Sequence, residues 1–330
     1  MNSTNRWTFS TECHFAILAT MLLLSAASAS TAEAATITLN HNANPCTFVK
    51  AVTSINSRST RSPCTASGSY GTNDTIVIPN DANNNTFYID AAVTITRSMT
   101  IHGAGKWNTN LQGAADFQSQ VIHITNPSAV VKMDNLQLAG GPSNNDIGIY
   151  VEGESDTNVN DNNLELNYVI LAGFNNTALE NFGGRVLIQN TLIYLNNGFW
   201  GGGVQNVNGW TGSWWVAKFV AKNSAISFNN ASTGGGIWSN GRLDLESTLM
   251  QNNYSSGDGG AVWVTALSDV PSPSCKVGTI AGSYPSEFDS NTSDTGYSIV
   301  SSSIPCSITG ATAVGNTNPY CSPFVAGCPQ

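Results

Sequence analysis

Apolar and polar residues alternate in short runs along most of this chain. In the clearest run, Leu243, Leu245 and Leu249 share one parity, and Asp244 and Glu246 occupy the other. A period of two residues is typical of a β-strand that buries one face. Helical spacing of apolar residues is nearly absent, so the pattern predicts an all-β protein made of many short strands.

Four stretches that end in two asparagines indicate that these strands belong to a repeated unit. They are LNYVILAGFNN (166–176), LIQNTLIYLNN (187–197), VAKNSAISFNN (220–230) and LDLESTLMQNN (243–253). Three of them are followed by a glycine cluster and an apolar residue, namely GGGV (201–204), GGGI (234–237) and GGAV (259–262). A unit of about 20 residues therefore recurs with variable insertions, and each unit buries its apolar face against its neighbours.

The residues at the ends of the units indicate what kind of repeat this is. Asparagine and glycine both tolerate the left-handed backbone conformation that a tight corner requires. In stacked coils, equivalent asparagine side chains can also hydrogen-bond to one another as a ladder along the axis. The L-x-x-L-x-L frame of leucine-rich repeats is absent, and a propeller blade needs about 40 residues. We therefore predict a right-handed parallel β-helix.

One part of the alignment does not fit this pattern. Aligning the units by their last asparagine places Gln189 and Lys222 level with Leu245, which is an inward position if alternation holds throughout. Either a turn interrupts the strand at this point, or the register of the alignment is wrong by one residue.

The N-terminal residues predict export. Arg6 precedes a short apolar core at 15–24, and Ala32-Glu33-Ala34 places small residues at the cleavage positions of a secretory signal, which we assign to residues 1–34. No later segment approaches the ~20 apolar residues that span a bilayer. We expect a secreted protein, extracellular or at the cell surface, with no transmembrane segment after cleavage.

The cysteines predict disulfides. Of the 7 cysteines, Cys13 lies in the leader, and the others form an even set, as expected of an exported disulfide-bonded chain. We expect the pairs that are closest in sequence, Cys46–Cys64, Cys275–Cys306 and Cys321–Cys328, although sequence alone leaves other pairings open. No CxxC motif or His–Cys spacing indicates zinc.

The formal net charge of −9 restricts the classes of partner. A negative surface repels phosphate backbones and anionic headgroups. The charge therefore argues against nucleic acid or an anionic membrane surface as the main partner.

The chain divides into a cap, a solenoid and a tail. Segment 35–71 predicts an N-terminal cap tied by a disulfide, which a solenoid needs at its open end. A short helix in this cap is predicted by apolar residues at helical spacing, namely Phe48, Val49, Val52 and Ile55. We expect the β-helix over 72–303 and a disulfide-pinned C-terminal tail over 304–330.

Several of these segments carry a family resemblance. CTFVKAV (46–52), GTNDTIVIP (71–79) and ITRSMTIHGAG (95–105) together resemble the opening module of bacterial exported β-helix proteins that begin with a C-S-L-R-E-A motif. Val49-Lys50 stands where that family has Arg-Glu, whereas the two later segments match in order and spacing. FNN…GGGI and QNN…GGAV are similar to the F-x-x-N and G-G-A-I repeats of chlamydial polymorphic outer-membrane proteins. The resemblance covers roughly residues 40–265 and implies an exported β-helix of pectin-lyase-like fold.

Tryptophans near the glycine clusters are the first candidate ligand-binding residues. Trp238 and Trp263 each follow an apolar residue that should face inward, so both should face outward about one coil spacing (~4.8 Å) apart. Trp210, Trp214 and Trp215 lie in the insertion before the third unit. Exposed indoles suit the apolar faces of sugar rings and mark a binding surface. Alternatively, the insertion folds over Trp238 and Trp263 and buries them.

The acidic segment 152–165, EGESDTNVNDNNLE, is a candidate calcium site. Its oxygen-bearing side chains follow the D-x-N-x-N spacing of calcium loops, with Asp156, Asn158, Asn160 and Asp161 as ligands. However, Asp161 stands where such loops have glycine, and Asn167 stands where a glutamate would close the site. The alternative is a solvated loop between coils. Calcium is therefore the one cofactor suggested, and none is established.

Asp244, Glu246 and Arg242 are the candidate catalytic residues if the protein is an enzyme. Two outward carboxylates at i and i+2 on a strand lie ~7 Å apart, which is compatible with a glycoside hydrolase pair. Carboxylates with this spacing also occur simply as solubilising charge on an exposed strand. The N-T-D, D-D, H-G and R-I-K motifs of polygalacturonases are absent.

These observations predict a secreted or surface-associated interaction protein, adhesin-like, that binds a polysaccharide or a cell-surface glycan through its tryptophan-bearing face. The alternative is a polysaccharide-degrading enzyme, either a lyase or a glycoside hydrolase, that uses the same face. A structural spacer is the third hypothesis. The first two require an accessible surface around Trp238 and Trp263, and the spacer does not.

Overall fold

The computed structural model describes residues 34–80, 85–113, 120–141, 146–153, 163–210, 214–265, 274–279, 285–294, 297–302, 305–316, 321–323 and 325–328, with only the backbone at 210, 214, 301 and 302. Within these residues the chain forms a stack of coils whose strands make up four sheets. A short hairpin and one α-helix, Phe48–Ser57, complete the structure.

Successive coils contribute successive strands to each sheet. In spatial order, sheet 1 contains Ala66–Ser67, Thr36–Thr38, Asp74–Ile78, Met99–Gly103, Val131–Asp134, Leu164–Asn167, Arg185–Gln189, Lys218–Lys222, Arg242–Glu246, Ser274–Gly278, Cys306–Ile308 and Val325–Ala326. Sheet 2 contains Thr86–Ile89, Asn110–Gly113, Gln137–Ala139, Ile170–Ala172, Leu192–Tyr194, Ala225–Ser227, Leu249–Gln251, Glu287–Asp289 and Thr312–Val314. Sheet 3 contains Val93–Ile95, Gln120–Ile124, Ile147–Glu152, Leu179–Phe182, Val204–Val207, Ile237–Ser239, Val262–Val264 and Val300–Ser302. Sheet 4 contains Asn197–Trp200, Asn230–Thr233, Tyr254–Ser255 and Thr292–Ser293, and the hairpin pairs Gly209–Trp210 with Trp214–Trp215.

Each coil passes from sheet 1 to sheet 2 and then through sheet 3 back to sheet 1, with sheet 4 inserted between sheets 2 and 3 in the later coils. Neighbouring strands in the four sheets are parallel, apart from the antiparallel pair of Thr36–Thr38 with Ala66–Ser67. Inward residues from all coils form one continuous apolar core. The prediction of a right-handed parallel β-helix is confirmed.

The helix covers the first coils, as predicted. Thr47 is its N-cap and accepts a hydrogen bond from the Lys50 backbone N–H, and Arg58 ends it in a left-handed conformation. Phe48, Val52 and other apolar residues of one helix face are fully buried against the first strands. No helix among the described residues is long and apolar enough to cross a membrane.

The three predicted disulfides are confirmed. Cys46–Cys64 brackets the helix, with its Cα atoms 4.6 Å apart. Cys275 and Cys306 are level with each other in adjacent strands of sheet 1, so their bond joins two successive coils. Cys321–Cys328 closes a short loop near the C-terminus. Such cross-links are typical of proteins in oxidising compartments.

An asparagine ladder follows sheet 2, as the unit ends predict. Each side-chain amide donates to the amide oxygen of the next asparagine at 2.9–3.1 Å, in the order Asn196, Asn229, Asn253, Asn291 and Asn316. The ladder satisfies buried amides that would otherwise lack partners. One coil earlier, Phe174 takes the equivalent position, and its backbone N–H donates to the Asn196 side chain at 3.0 Å.

The alignment of Gln189 and Lys222 with Leu245 was wrong by one residue in register. Gln189 and Lys222 are level with Glu246, not with Leu245, and all three face outward. The fourth unit is therefore displaced by one residue relative to the second and third. Because of this shift, the Lys222 ammonium lies 3.1 Å from the Glu246 carboxylate, where the alignment had predicted an asparagine beside Glu246.

Candidate functional site

A row of polar and aromatic side chains crosses the outer face of sheet 3. Its members are level in successive coils, in the order His123, Tyr150, Glu180, Gln205, Trp238 and Trp263. Strand alternation explains the row, because each member stands between two inward residues, as Tyr150 does between Ile149 and Val151. With ~4.8 Å between coils, six positions extend about 24 Å along the axis.

The long connections of the solenoid leave along one edge of this sheet. They lead from sheet 3 back to sheet 1, between Glu152 and Leu164, between Val207 and Lys218, and between Val264 and Ser274. The connections from sheet 1 to sheet 2 are shorter, and range from tight corners, as between Gln189 and Leu192, to the loop between Gly278 and Glu287. Because insertions on a rigid scaffold often carry binding or catalytic residues, sheet 3 is a candidate functional face.

Ionisable groups gather at the N-terminal end of the row. The His123 Nε2 atom lies 3.2 Å from Glu152 Oε1, at angles that do not form a hydrogen bond, and the His123 and Tyr150 rings meet edge to face at 4.9 Å. The phenol ring of Tyr150 also stacks with Phe182 at 6.4 Å. Three proton-bearing groups are therefore fixed beside one another on the outer face.

Glu180 is the most perturbed acid of this face. Burial raises the pKa of its carboxyl group to about 7, and Glu180 forms no ion pair within the described residues. Burial also raises the pKa of Tyr150 above its usual range, with smaller contributions from the charges of Glu180 and Glu152. Burying a carboxyl group that ionises near pH 7 lowers the free energy of unfolding at neutral pH. Groups with such raised pKa values are concentrated at functional sites.

Tryptophans form the other end of the row. Trp238 and Trp263 are level as predicted, with ring centroids 6.0 Å apart. Trp200, from sheet 4, stacks on the other side of Trp238 at 5.7 Å. As a result Trp238 is only 7 % exposed, whereas Trp200 is 45 % exposed and Trp263 is half-buried. The expected exposure of Trp238 was therefore wrong.

Trp200 covers one side of Trp238, which the sequence did not suggest. The alternative hypothesis assigned burial to the insertion that holds Trp210, Trp214 and Trp215. Trp215 is itself nearly buried, and the side chains of Trp210 and Trp214 lie outside the described residues. The Trp238 indole Nε1 is a buried donor that has no hydrogen-bond partner among the described residues.

The predicted catalytic pair lies on another face. Asp244 and Glu246, with Arg242, face outward on sheet 1, whereas Trp238 lies on sheet 3. Asp244 and Glu246 line a shallow hollow of about 280 Å³ together with Lys276. The sequence had placed the acids and the tryptophans on one face, and the structure separates them.

The proposed calcium ligands Asp156, Asn158, Asn160 and Asp161 lie outside the described residues. Across the described ranges, no group of three or more His, Cys, Asp or Glu side chains is arranged to hold a metal ion.

Sequence reasoning missed His123, Tyr150, Glu152 and Glu180. A signal was present, since each occupies an outward position in an alternating strand such as QVIHI or IGIYVE. Their proximity could not be predicted, because the insertions between these strands differ in length.

No protein-family profile matches the chain, and no curated protein is significantly similar to it in sequence. Among solved structures, the chain is similar to the enzymatically active domain of bacteriophage CBA120 tailspike protein 2, with 13 % identity and a TM-score of 0.35 over 73 % of this chain and 37 % of the tailspike domain. It is also similar to an alginate lyase from a Paenibacillus species, with 16 % identity and a TM-score of 0.31 over 77 % of this chain and 92 % of the lyase. A third similar structure is the A-module of the mannuronan C-5 epimerase AlgE6 from Azotobacter vinelandii, with 14 % identity and a TM-score of 0.29 over 78 % of this chain and 91 % of the module. These similarities concern the β-helix fold alone.

Proposed function

We propose that this protein is an exported β-helix protein that binds a polysaccharide chain along the outer face of sheet 3. The continuous row from His123 to Trp263 carries the proposal. A row of about 24 Å suits an extended ligand whose successive units meet successive coils. The three disulfides are consistent with an extracellular site of action.

The chemistry of the row suits carbohydrate at both ends. The indoles of Trp200 and Trp263 offer apolar surface to sugar rings, and aromatic residues of this kind dominate binding surfaces. Gln205, Glu180 and Tyr150 offer donors and acceptors for hydroxyl groups.

The first test is retention of the protein by polysaccharides in affinity gel electrophoresis. Among neutral and acidic polysaccharides, we expect at least one to retard the protein, and Trp263→Ala to weaken that binding by about tenfold because ring contact is lost. Tyr88→Ala is the matched control, since Tyr88 is an exposed aromatic residue on sheet 2. If no polysaccharide retards the protein, or if Trp263→Ala binds as wild type does, sheet 3 is not the binding face.

Cleavage of the bound chain is a second candidate function, and the raised pKa of Glu180 favours it. Near neutral pH this carboxyl group can deliver a proton to a leaving oxygen. Glu152 lies one coil away and two residues further along its strand, so the two backbone positions are ~8 Å apart. Inverting glycoside hydrolases hold their two carboxyl groups ~6.5–9.5 Å apart, so a functional pair requires the Glu152 side chain to turn from His123 towards Glu180.

Product analysis tests this candidate. The protein is incubated with acidic and neutral polysaccharides, with and without calcium, and new reducing ends and unsaturated ends are measured. If the chain is cleaved at sheet 3, Glu180→Gln should lower the rate by ~10²-fold, whereas Glu246→Gln on sheet 1 should leave it unchanged. Loss of activity in Asp244→Asn or Glu246→Gln alone would place the chemistry on sheet 1. Binding without products would support the non-catalytic function.

A further inference from the structure

A second groove lies away from sheet 3, on the outer face of sheet 2 and the corner that joins it to sheet 1. Its volume is about 650 Å³, within the range of small-molecule sites. The floor consists of residues that are level in successive coils, namely Leu192, Ala225 and Leu249. The same row ends in Glu287, so the groove has a carboxylate at the end far from Lys106. The rim consists of polar residues at successive corners, namely Asn190, Asn223 and Ser247.

One end of this groove carries a cation, and two exposed aromatic rings lie near it, beyond the residues that line the groove. The Lys106 ammonium lines the groove and lies 6.0 Å from the ring centroids of both Trp107 and Tyr168. Trp107 is 67 % exposed and Tyr168 is 46 % exposed. Within the described part of the chain, Lys106 forms no ion pair. The positive charge is therefore available to an anion from solvent.

Tyr168 is an unusual residue for its position. It occupies the same corner as Asn190 and Asn223 in later coils, with a left-handed φ of 55° that strains a bulky side chain. Its ring stays exposed, so burial in the core does not offset this strain. A binding role explains why an aromatic ring stands at a corner where other coils have asparagine or serine.

We propose that this groove binds an anionic saccharide, with its acidic group on Lys106 and a sugar ring against Trp107. The chain as a whole carries a net charge of −9, so an unpaired lysine flanked by aromatic rings is a specific attraction for an anion. The apolar floor and the amide-bearing rim fit the two faces of a carbohydrate ring. The acidic group is a carboxylate or a sulfate ester. This site is independent of the function proposed for sheet 3.

The test uses the full chain with its disulfides intact and hexagalacturonate as the probe. Binding is measured by calorimetry, and a water-soluble carbodiimide is then used to couple the bound carboxylate to the nearest amine, which peptide mass spectrometry locates. We expect coupling at Lys106 in clear excess over Lys276, an exposed lysine on sheet 1. We also expect Lys106→Gln and Trp107→Ala to weaken binding by about tenfold each, and Lys276→Gln to leave it unchanged.

Competition identifies the acidic group and separates the two binding faces. If dextran sulfate suppresses coupling at Lys106 and unsulfated dextran does not, the groove accepts sulfate as well as carboxylate. Coupling at Lys106 should persist in Trp263→Ala, because that residue lies on sheet 3. The proposal is overturned if coupling is spread equally over the exposed lysines or if Lys106→Gln does not change binding. It is also overturned if the protein binds neutral cellohexaose with the same affinity as hexagalacturonate.

Discussion

Asn229→Ala is expected to lower the free energy of unfolding by about 3–5 kcal/mol, because it interrupts the asparagine ladder in its interior. The Asn229 side chain accepts from the Asn196 backbone N–H and amide at 3.2 and 2.9 Å. It donates to the Ile193 carbonyl at 3.1 Å and to Asn253 at 3.0 Å. Alanine removes all four bonds and opens a small cavity beside them. The Asn253 amide oxygen still accepts from the backbone N–H of residue 229, and the Asn196 amide still donates to the Leu171 carbonyl, whereas the Asn196 backbone N–H loses its side-chain acceptor.

Chemical and thermal unfolding check this result, with the fluorescence of Trp200, Trp238 and Trp263 as the reporter of the same coils. We expect the Tm to fall by about 6–10 °C. Asn230→Ala is the matched control, since Asn230 is the next residue along the chain and its side chain is exposed. Equal losses in the two variants, or no loss in Asn229→Ala, would show that the ladder does not stabilise the solenoid.

Glu180→Gln is expected to remove a pH dependence of stability. The folded protein holds the pKa of this carboxyl group at about 7, above its ordinary value of 4.5, so the folded state binds the proton more tightly than the unfolded state does. The stabilisation is complete below about pH 4.5 and is lost as the pH rises to about 7. A shift of this size corresponds to about 3 kcal/mol of stability lost across that window.

The measurement is the free energy of unfolding from denaturant titrations at a series of pH values. Glu180→Gln carries a neutral amide of the same shape, so it should be more stable than wild type at pH 8 and should lack this downward slope. Glu165→Gln serves as the control, because Glu165 is a partly exposed carboxylate that pairs with Lys132 at 3.1 Å. If Glu180→Gln and wild type have parallel pH profiles, the carboxyl group is not held in its protonated form.

The most successful sequence predictions depended on local patterns. The alternation in Arg242–Glu246 predicted which residues of that strand face the core, and Leu243 and Leu245 are fully buried. The three disulfides join cysteines that are close in sequence. The alternation acts within a single strand, and each disulfide lies within one coil or joins two successive ones, with a sequence separation of at most 31.

Predictions that required matching distant coils were less successful. A one-residue error in aligning the fourth unit moved Gln189 and Lys222 from the level of Glu246 to that of Leu245. Because side chains alternate between faces, such an error exchanges an outward position for an inward one. The first unit shows the same effect, since Phe174 occupies the ladder position that the aligned asparagines suggested for that coil.

The burial of Trp238 shows why the solvent exposure of a side chain could not be predicted from the sequence. Alternation correctly placed this ring on the outer face of its strand, level with Trp263. Its burial depends on Trp200, which belongs to a different sheet and reaches it only because sheet 4 is inserted into the coil. A pattern within one strand contains no information about such a neighbour.

The sequence by itself determined the class of this protein, a capped and disulfide-linked parallel β-helix with an asparagine ladder, because alternation, corner residues and nearby cysteines act over short distances along the chain. Only the tertiary structure decided which side chains share a face. It placed His123, Tyr150 and Glu180 in one row with Trp238 and Trp263, and it moved Asp244 and Glu246 to a different sheet. The physical reason is that insertions of unequal length separate the coils, so the residues that meet along the axis are fixed by strand pairing rather than by sequence spacing.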